Sequence, residues 1–315
     1  MQLATAVDSR RLVLTAGNFT ILDVFDRNSV SWDPRQTFFN MAFMTYSSWD
    51  FPSDARGYSW GATAELYWDE WALRIGRITP PQNPNQLQTD FRIWKFYGDE
   101  IELEHDHELL GRAGAVRLLG YRNQVDTGSF DDAIAAFQAN PSQKNAANCG
   151  ANFSYNSGNA DAPDLCFVRK TNVKLGIGLD LEQYVTPDLG VFFRGMYSDG
   201  RTEVDAYNPA DRSVSVGAVA KGSAWHRPFD VTGVGFGMSW ISHTHAQYLA
   251  MGGVDGFIGD GNLRQAGEGI VEAFYSVNLL KALWLSADYQ FLWNPAYNAD
   301  RGPVTIVGGR VHGEF

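Results

Sequence analysis

Connections of two very different lengths alternate along this chain, and that alternation constrains its fold more than any single segment does. Stretch after stretch shows apolar and polar residues alternating with period two, the mark of strands whose faces meet different media. The final stretch is the clearest. From Thr305 the odd positions run Thr, Val, Gly, Val, Gly to Phe315, while the even side carries Arg310, His312 and Glu314. Counting back from it, residues 8–10, 69–70, 106–110, 185–188, 222–228 and 280–281 form short connections. Residues 20–56, 80–95, 123–170, 199–211, 242–264 and 294–302 form the longer ones, and the two kinds strictly alternate. A soluble meander has no reason to sort its loops by end. An antiparallel barrel crossing a membrane does, with short turns on one side and long loops on the other.

The individual strands agree with that reading. Between Tyr58 and Trp68 one face shows Tyr58, Trp60, Ala62, Ala64, Leu66 and Trp68, and the other shows Ser59, Gly61, Thr63, Glu65 and Tyr67. Trp60 and Trp68 are separated by about 26 Å of extended chain. On a tilted strand that becomes roughly 20 Å of height, close to the apolar band of a membrane barrel with aromatic girdles. Packing in a soluble core would explain the alternation, but not rings at both ends with alanines between them. After the 69–70 turn, Leu73 and Ile75 continue the apolar face and Arg74 turns inward. Inward positions elsewhere carry Glu102 and Glu104, Arg117, and Arg194. No run approaches eighteen apolar residues, so a transmembrane helix is excluded. A net charge of −11 argues against nucleic-acid binding, which needs a concentrated basic surface.

Two connections stand out. Residues 20–56 are strongly aromatic for a loop, and a segment folded into a barrel mouth would bury those rings. Residues 123–170 contain a short helix capped by Ser129, with Asp131 and Asp132 in its first turn. Cys149 and Cys166 follow in an Asn/Gly/Ser-rich stretch. An even count there reads as a disulfide in an oxidising compartment, with two free thiols as the alternative. Met-Gln-Leu-Ala-Thr-Ala-Val, at the start, has neither a basic segment nor a long apolar core. An exported protein needs a leader, so the leader is expected to lie outside this chain. Residues 2–7 read as the tail of a further strand.

Several separated motifs, in order, resemble one family. They are Asp23-Val-Phe-Asp26 with Asp33-Pro-Arg35, Asp54-Ala-Arg-Gly-Tyr-Ser-Trp-Gly61, Trp71-Ala-Leu-Arg-Ile-Gly-Arg77, Ser129-Phe-Asp-Asp-Ala-Ile134, and the ending Asn294-Pro-Ala-Tyr-Asn-Ala-Asp-Arg-Gly-Pro303 to Phe315. Together they resemble the OprB-type carbohydrate-selective porins of Gram-negative outer membranes, over nearly the whole chain except the insertion near 140–166. The resemblance implies an all-β, transmembrane, antiparallel up-and-down β-barrel, sixteen-stranded in the family. About twelve to thirteen strands are legible here, so the first few are expected to be missing. It implies passage of glucose and related sugars without a cofactor, and a location in the outer membrane among its lipids and lipopolysaccharide. It also implies assembly through the terminal Phe315, and a homotrimer is compatible with it.

Neutral polyols are held by bidentate donors and acceptors and by aromatic faces. Arg74, Glu65, Glu102, Glu104, Arg117 and Arg194 are therefore the candidate sugar-binding residues, with the rings of 20–56 as a platform. Structural ion pairs in a polar lumen are the competing reading for each. A barrel enzyme is the rival class, but no nucleophile–base pair is legible. A soluble sugar-binding β domain is the other, and it would not need detergent. His105-x-His107 and His243-x-His245 lack a third ligand at useful spacing and read as surface histidines rather than a metal site. Asp255 and Asp260 flank Phe257 and Ile258, which suits a tight glycine loop better than a calcium site. If Cys149 and Cys166 are bonded, alkylation of the native protein without reductant should modify neither. Two labelled thiols would contradict the pairing.

Overall fold

The computed structural model describes residues 7–140, 149, 153–156, 159–259, 261 and 263–314. Twelve strands form one antiparallel sheet in chain order, each bonded to its neighbours in sequence. They are β1 Arg10–Phe19, β2 Ser59–Trp68, β3 Trp71–Ile78, β4 Tyr97–Leu109, β5 Arg112–Thr127 and β6 Lys170–Tyr184. The second half comprises β7 Leu189–Ser198, β8 Arg212–Gly222, β9 Arg227–Trp240, β10 Glu268–Leu280, β11 Leu283–Trp293 and β12 Val304–Gly313. β1 and β12 do not pair with each other, so the described sheet is not closed. Residues 2–6, part of the expected strand tail, and Phe315 lie outside the described residues, as does Asp260.

Strand length and connection length follow the alternation. One face bears large exposed apolar groups, such as Leu14, Trp60, Leu73, Ile101, Ile177 and Val311. The opposite face is buried although it is polar. That is the reverse of a soluble sheet and suits an outer wall facing hydrocarbon. No described helix is long and apolar enough to cross a membrane.

Several features differ from the sequence reading. The turn expected at 106–110 is tighter: β4 runs on to Leu109, and Leu110 and Gly111 alone make the reversal at φ 53° and 72°. Glycine takes that left-handed backbone without cost, so the turn settles there. His107 is consequently a strand residue, not a turn residue. The turn expected at 280–281 moves by one, to 281–282. The 242–264 connection holds a helix that was not anticipated, α3 His243–Ala250, following α1 Met41–Met44 and α2 Phe130–Ala139 in chain order. Ser242 caps α3 by accepting from His245 N, just as Ser129 caps α2 by accepting from Asp132 N. Cys149 and Cys166 are disulfide-bonded, with Cα atoms 5.7 Å apart.

The inner face is covered by residues 20–58, which fold back across the sheet. Phe25, Phe38, Phe43 and Trp49 of this segment have no exposed surface. Wall glycines receive them. A Cβ on Gly235 would sit 2.7 Å from the Phe43 ring, and one on Gly178 would sit 2.9 Å from Tyr46. Phe38 and Phe43 pack with Phe192, Ile270 and Phe274, and Tyr46, Trp49 and Phe51 with Leu119, Tyr121 and Met196.

Backbone polar groups of the segment are satisfied by wall carboxylates. Asp26 N donates to Glu102 at 2.7 Å, Ser29 N to Glu182 at 2.5 Å, and Phe39 N and Asn40 N to Glu272 at 2.5 and 3.0 Å. Each such charge-assisted bond contributes about 1.5–3 kcal/mol. Arg194 secures the same segment through Asp26 (3.0 Å), Ser31 Oγ (2.7 Å) and the Phe43 carbonyl (2.8 Å). Arg194→Met removes one partner of a buried pair and leaves Asp26 uncompensated, a loss of about 3–5 kcal/mol. Thermal unfolding in detergent should show a clearly lowered midpoint, and an unchanged midpoint would contradict the anchoring role.

Candidate functional site

The six candidate residues sit on five strands, β2 to β5 and β7, and with Asp180 of β6 they form one band across the wall. Strand register places Glu65 of β2 opposite Arg74 of β3, Arg74 opposite Glu102 of β4, and Glu104 opposite Arg117 of β5. Arg117 then faces Asp180 of β6, and Asp180 faces Arg194 of β7. Directly opposite residues in an antiparallel pair stand close enough for their side chains to meet. The row therefore alternates in charge across the wall.

Side-chain contacts follow that register. Arg74 reaches Glu102 at 2.8 Å, Glu104 at 3.0 Å and Glu65 at 3.3 Å. Arg117 pairs with Glu104 and lies 3.3 Å from Glu182 and 3.8 Å from Asp180. Arg194 lies 3.0 Å from Asp26 and 3.4 Å from Asp180. Tyr67 donates its hydroxyl to Glu65 at 2.7 Å.

These residues do not all stand in the same environment. Arg194 and Glu102 are sealed beneath residues 20–58, at 1% and 0% exposure. Arg74, Glu104 and Arg117 instead line a chamber of about 270 Å³, together with Arg27, Asn28, Ser29 and Trp32 from the infolded segment. Its wall residues lie near the short turns at 69–70 and 110–111, hence toward the side of the short connections. Arg27 is exposed, stands over the Trp32 ring at 5.4 Å, and forms no ion pair among the described residues. Trp32 is oriented by its indole N–H, which donates to the Leu22 carbonyl at 3.0 Å. Asn28 is held by Asp180 at 2.7 Å.

Chemically, the chamber offers guanidinium donors, one carboxylate acceptor and one aromatic face, and the guanidiniums of Arg74 and Arg117 are held in place by carboxylates behind them. Sequence reasoning named three of its wall residues but not Arg27 or Asn28. Both lie in an irregular segment without period-two alternation, so nothing in the sequence fixes which way they point.

One histidine resolves differently from expectation. His245, read as a surface residue, is buried at 1% exposure between Asp211 (3.1 Å) and Asp255 (3.3 Å), with Phe130 stacked on it at 4.2 Å. α3 turns it inward, so it fastens three long connections together above the wall. Burial alone would raise Asp211, but the adjacent His245 holds its carboxyl below the ordinary value. Asp255 is pushed up to about 7, chiefly by burial. It accepts from Val204 N at 3.2 Å, a bond that ties the glycine-rich loop to the 199–211 connection. Among the described residues the one potential metal cluster is Cys149, Asp164 and Cys166, and its two sulfurs are already bonded to each other.

The family model described as "Carbohydrate-selective porin, OprB family" matches residues 4–315. Among solved structures, the high-pH structure of Pseudomonas putida OprB superposes with a TM-score of 0.67 at 17% identity, covering 96% of this chain and 70% of that one. The low-pH structure of the same protein gives 0.48 at 15% identity, covering 95% of this chain and 60% of that one. Pseudomonas aeruginosa OccK1 gives 0.47 at 9% identity, covering 95% and 63%. No curated protein sequence matches this one. A polar wall buried on one face, an apolar wall exposed on the other, and a family match over almost the full length meet in one conclusion: this chain belongs to the OprB family of carbohydrate-selective porins of the Gram-negative outer membrane.

Proposed function

We propose that the protein passes glucose and related neutral sugars through the chamber formed by Arg27, Trp32, Arg74, Glu104 and Arg117. Membership of the family makes it a channel for carbohydrates rather than an enzyme. The observation that carries the finer reading is the meeting of an aromatic face with forked donors and an acceptor in one chamber. A guanidinium can hold two vicinal hydroxyls at once, a carboxylate accepts from a third, and the apolar side of a sugar ring lies against an indole. Each contact is exchanged for water, so the net gain per hydrogen bond is about 1 kcal/mol. That is enough to bias passage without trapping the solute.

The roles divide by which residues border the chamber. Arg74, Glu104 and Arg117 serve as wall contacts, with Trp32 and Arg27 opposite them. Glu65 supports Arg74 from behind, whereas Glu102 and Arg194 hold the infolded segment and do not meet the sugar. Trp32→Ala removes the stacking face without disturbing the charge row. A stacking contribution of about 1.4 kcal/mol corresponds to roughly tenfold in affinity. Glucose block of ion current through the porin purified from outer membranes should therefore need about ten times more sugar, at unchanged thermal stability. An unaltered block with an open pore would contradict the reading. Arg74→Ala behaves differently, because it strands Glu65, Glu102 and Glu104 together. Both sugar block and unfolding temperature should fall, and loss of stability alone would make Arg74 a purely structural residue.

A further inference from the structure

A second chamber, of about 180 Å³, lies on the other side of the infolded segment, among the ends of β9, β10 and β11 that adjoin the long connections. Met41, Asn208, Ser239, Glu268, Ile270 and Tyr297 are among its lining, and no lysine or arginine is. A solute arriving from the long-loop side meets it before it reaches the arginine-rich chamber. Glu268 opens β10 on the inward face, in line with Ile270 and Glu272. One of its oxygens, Oε2, accepts from Ala296 N at 2.7 Å, which fixes the carboxylate in position. The other is left for the chamber. Asn208 and Pro209 enter from the 199–211 connection, and Ile258 from the glycine-rich one.

The two chambers therefore differ in how their charges are compensated. The inner one presents Arg27, Arg74 and Arg117 against Glu104, and the outer one a carboxylate with no cation among its lining residues. An uncompensated charge in a narrow, weakly hydrated passage acts over several ångströms and sorts solutes by sign. A neutral polyol loses nothing there, since its hydroxyls can donate to the carboxylate and to the Asn208 carbonyl. A sugar acid or sugar phosphate brings a like charge to the same place, where no lining cation offsets it.

We propose that the outer chamber is a selectivity station, in which Glu268 accepts hydroxyl hydrogens of uncharged polyols and turns away anionic sugars. The proposal rests on the sugar-channel reading above and adds to it the class of solute excluded. The inner row alternates in sign, with Arg74 and Arg117 paired to carboxylates, so the acidic outer station is what closes the pathway to sugar acids.

Liposome swelling with the porin purified from outer membranes tests this, using glucose and gluconate as paired solutes. The expected result is ready passage of glucose and strong exclusion of gluconate by the native protein. Glu268→Gln keeps the acceptor for Ala296 N and removes only the charge, so gluconate permeation relative to glucose should rise at least tenfold. Asn208→Lys sets a cation in the same chamber from a connection rather than a strand, and should act in the same direction. Unchanged gluconate exclusion in both variants, with glucose still passing, would overturn the station. Equal passage of both solutes through the native protein would overturn it as well. A native porin that conducts ions but admits no glucose would instead defeat the underlying sugar-channel reading.

Discussion

Everything on the inner face depends on one exchange: the carboxylates of the wall accept the backbone N–H groups of residues 20–58. An irregular segment inside a barrel has donors that no strand satisfies, and leaving them unpaired away from water costs several kcal/mol in sum. Glu102, Glu182 and Glu272 take four of those donors. Those same carboxylates would repel one another across the wall. Arg74 offsets Glu102 at 2.8 Å, and Arg117 of β5, between β4 and β6, lies 3.3 Å from Glu182. Ion pairs of this kind are weak evidence for stability taken singly, because desolvation offsets their attraction. Their value here is positional: they hold the segment in one place, and the segment divides the interior into two chambers.

This arrangement explains why so much of the interior is legible in the sequence while the site is only half legible. Period-two alternation gives both faces of a strand at once, so Glu65, Arg74, Glu102, Glu104, Arg117 and Arg194 could be assigned to the inner wall from pattern alone. Alternating connection lengths supplied the up-and-down order. Neither signal reaches into residues 20–58. There the chain has no period, and its aromatic content says only that it is packed, not against what. The distinction between Arg74, which borders open space, and Arg194, which is sealed, depends on where Asp26 and Phe43 come to rest. Such contacts, more than a hundred residues apart in sequence, leave no local trace.

The misplaced features have equally local causes. The Asp106-His-Glu108 stretch is polar and looks like a turn, but the reversal needs left-handed backbone and waits for Leu110-Gly111. α3 follows a serine cap and carries no strong apolar stripe, so it is masked by the glycine-rich stretch behind it. His245 could not be told from a surface histidine without knowing that Asp211, from another connection, and Asp255, from farther along its own, close on its two ring nitrogens.

Amide hydrogen exchange on the protein in detergent micelles tests the infolded segment most directly. The wall carboxylates make the amides of Asp26, Ser29, Phe39 and Asn40 part of the barrel's hydrogen-bond network. They should therefore be protected to the same order as amides within β4, β6 and β10. Exchange within seconds at those four positions, with the strands still protected, would show a loop free of the wall and contradict the two-chamber account.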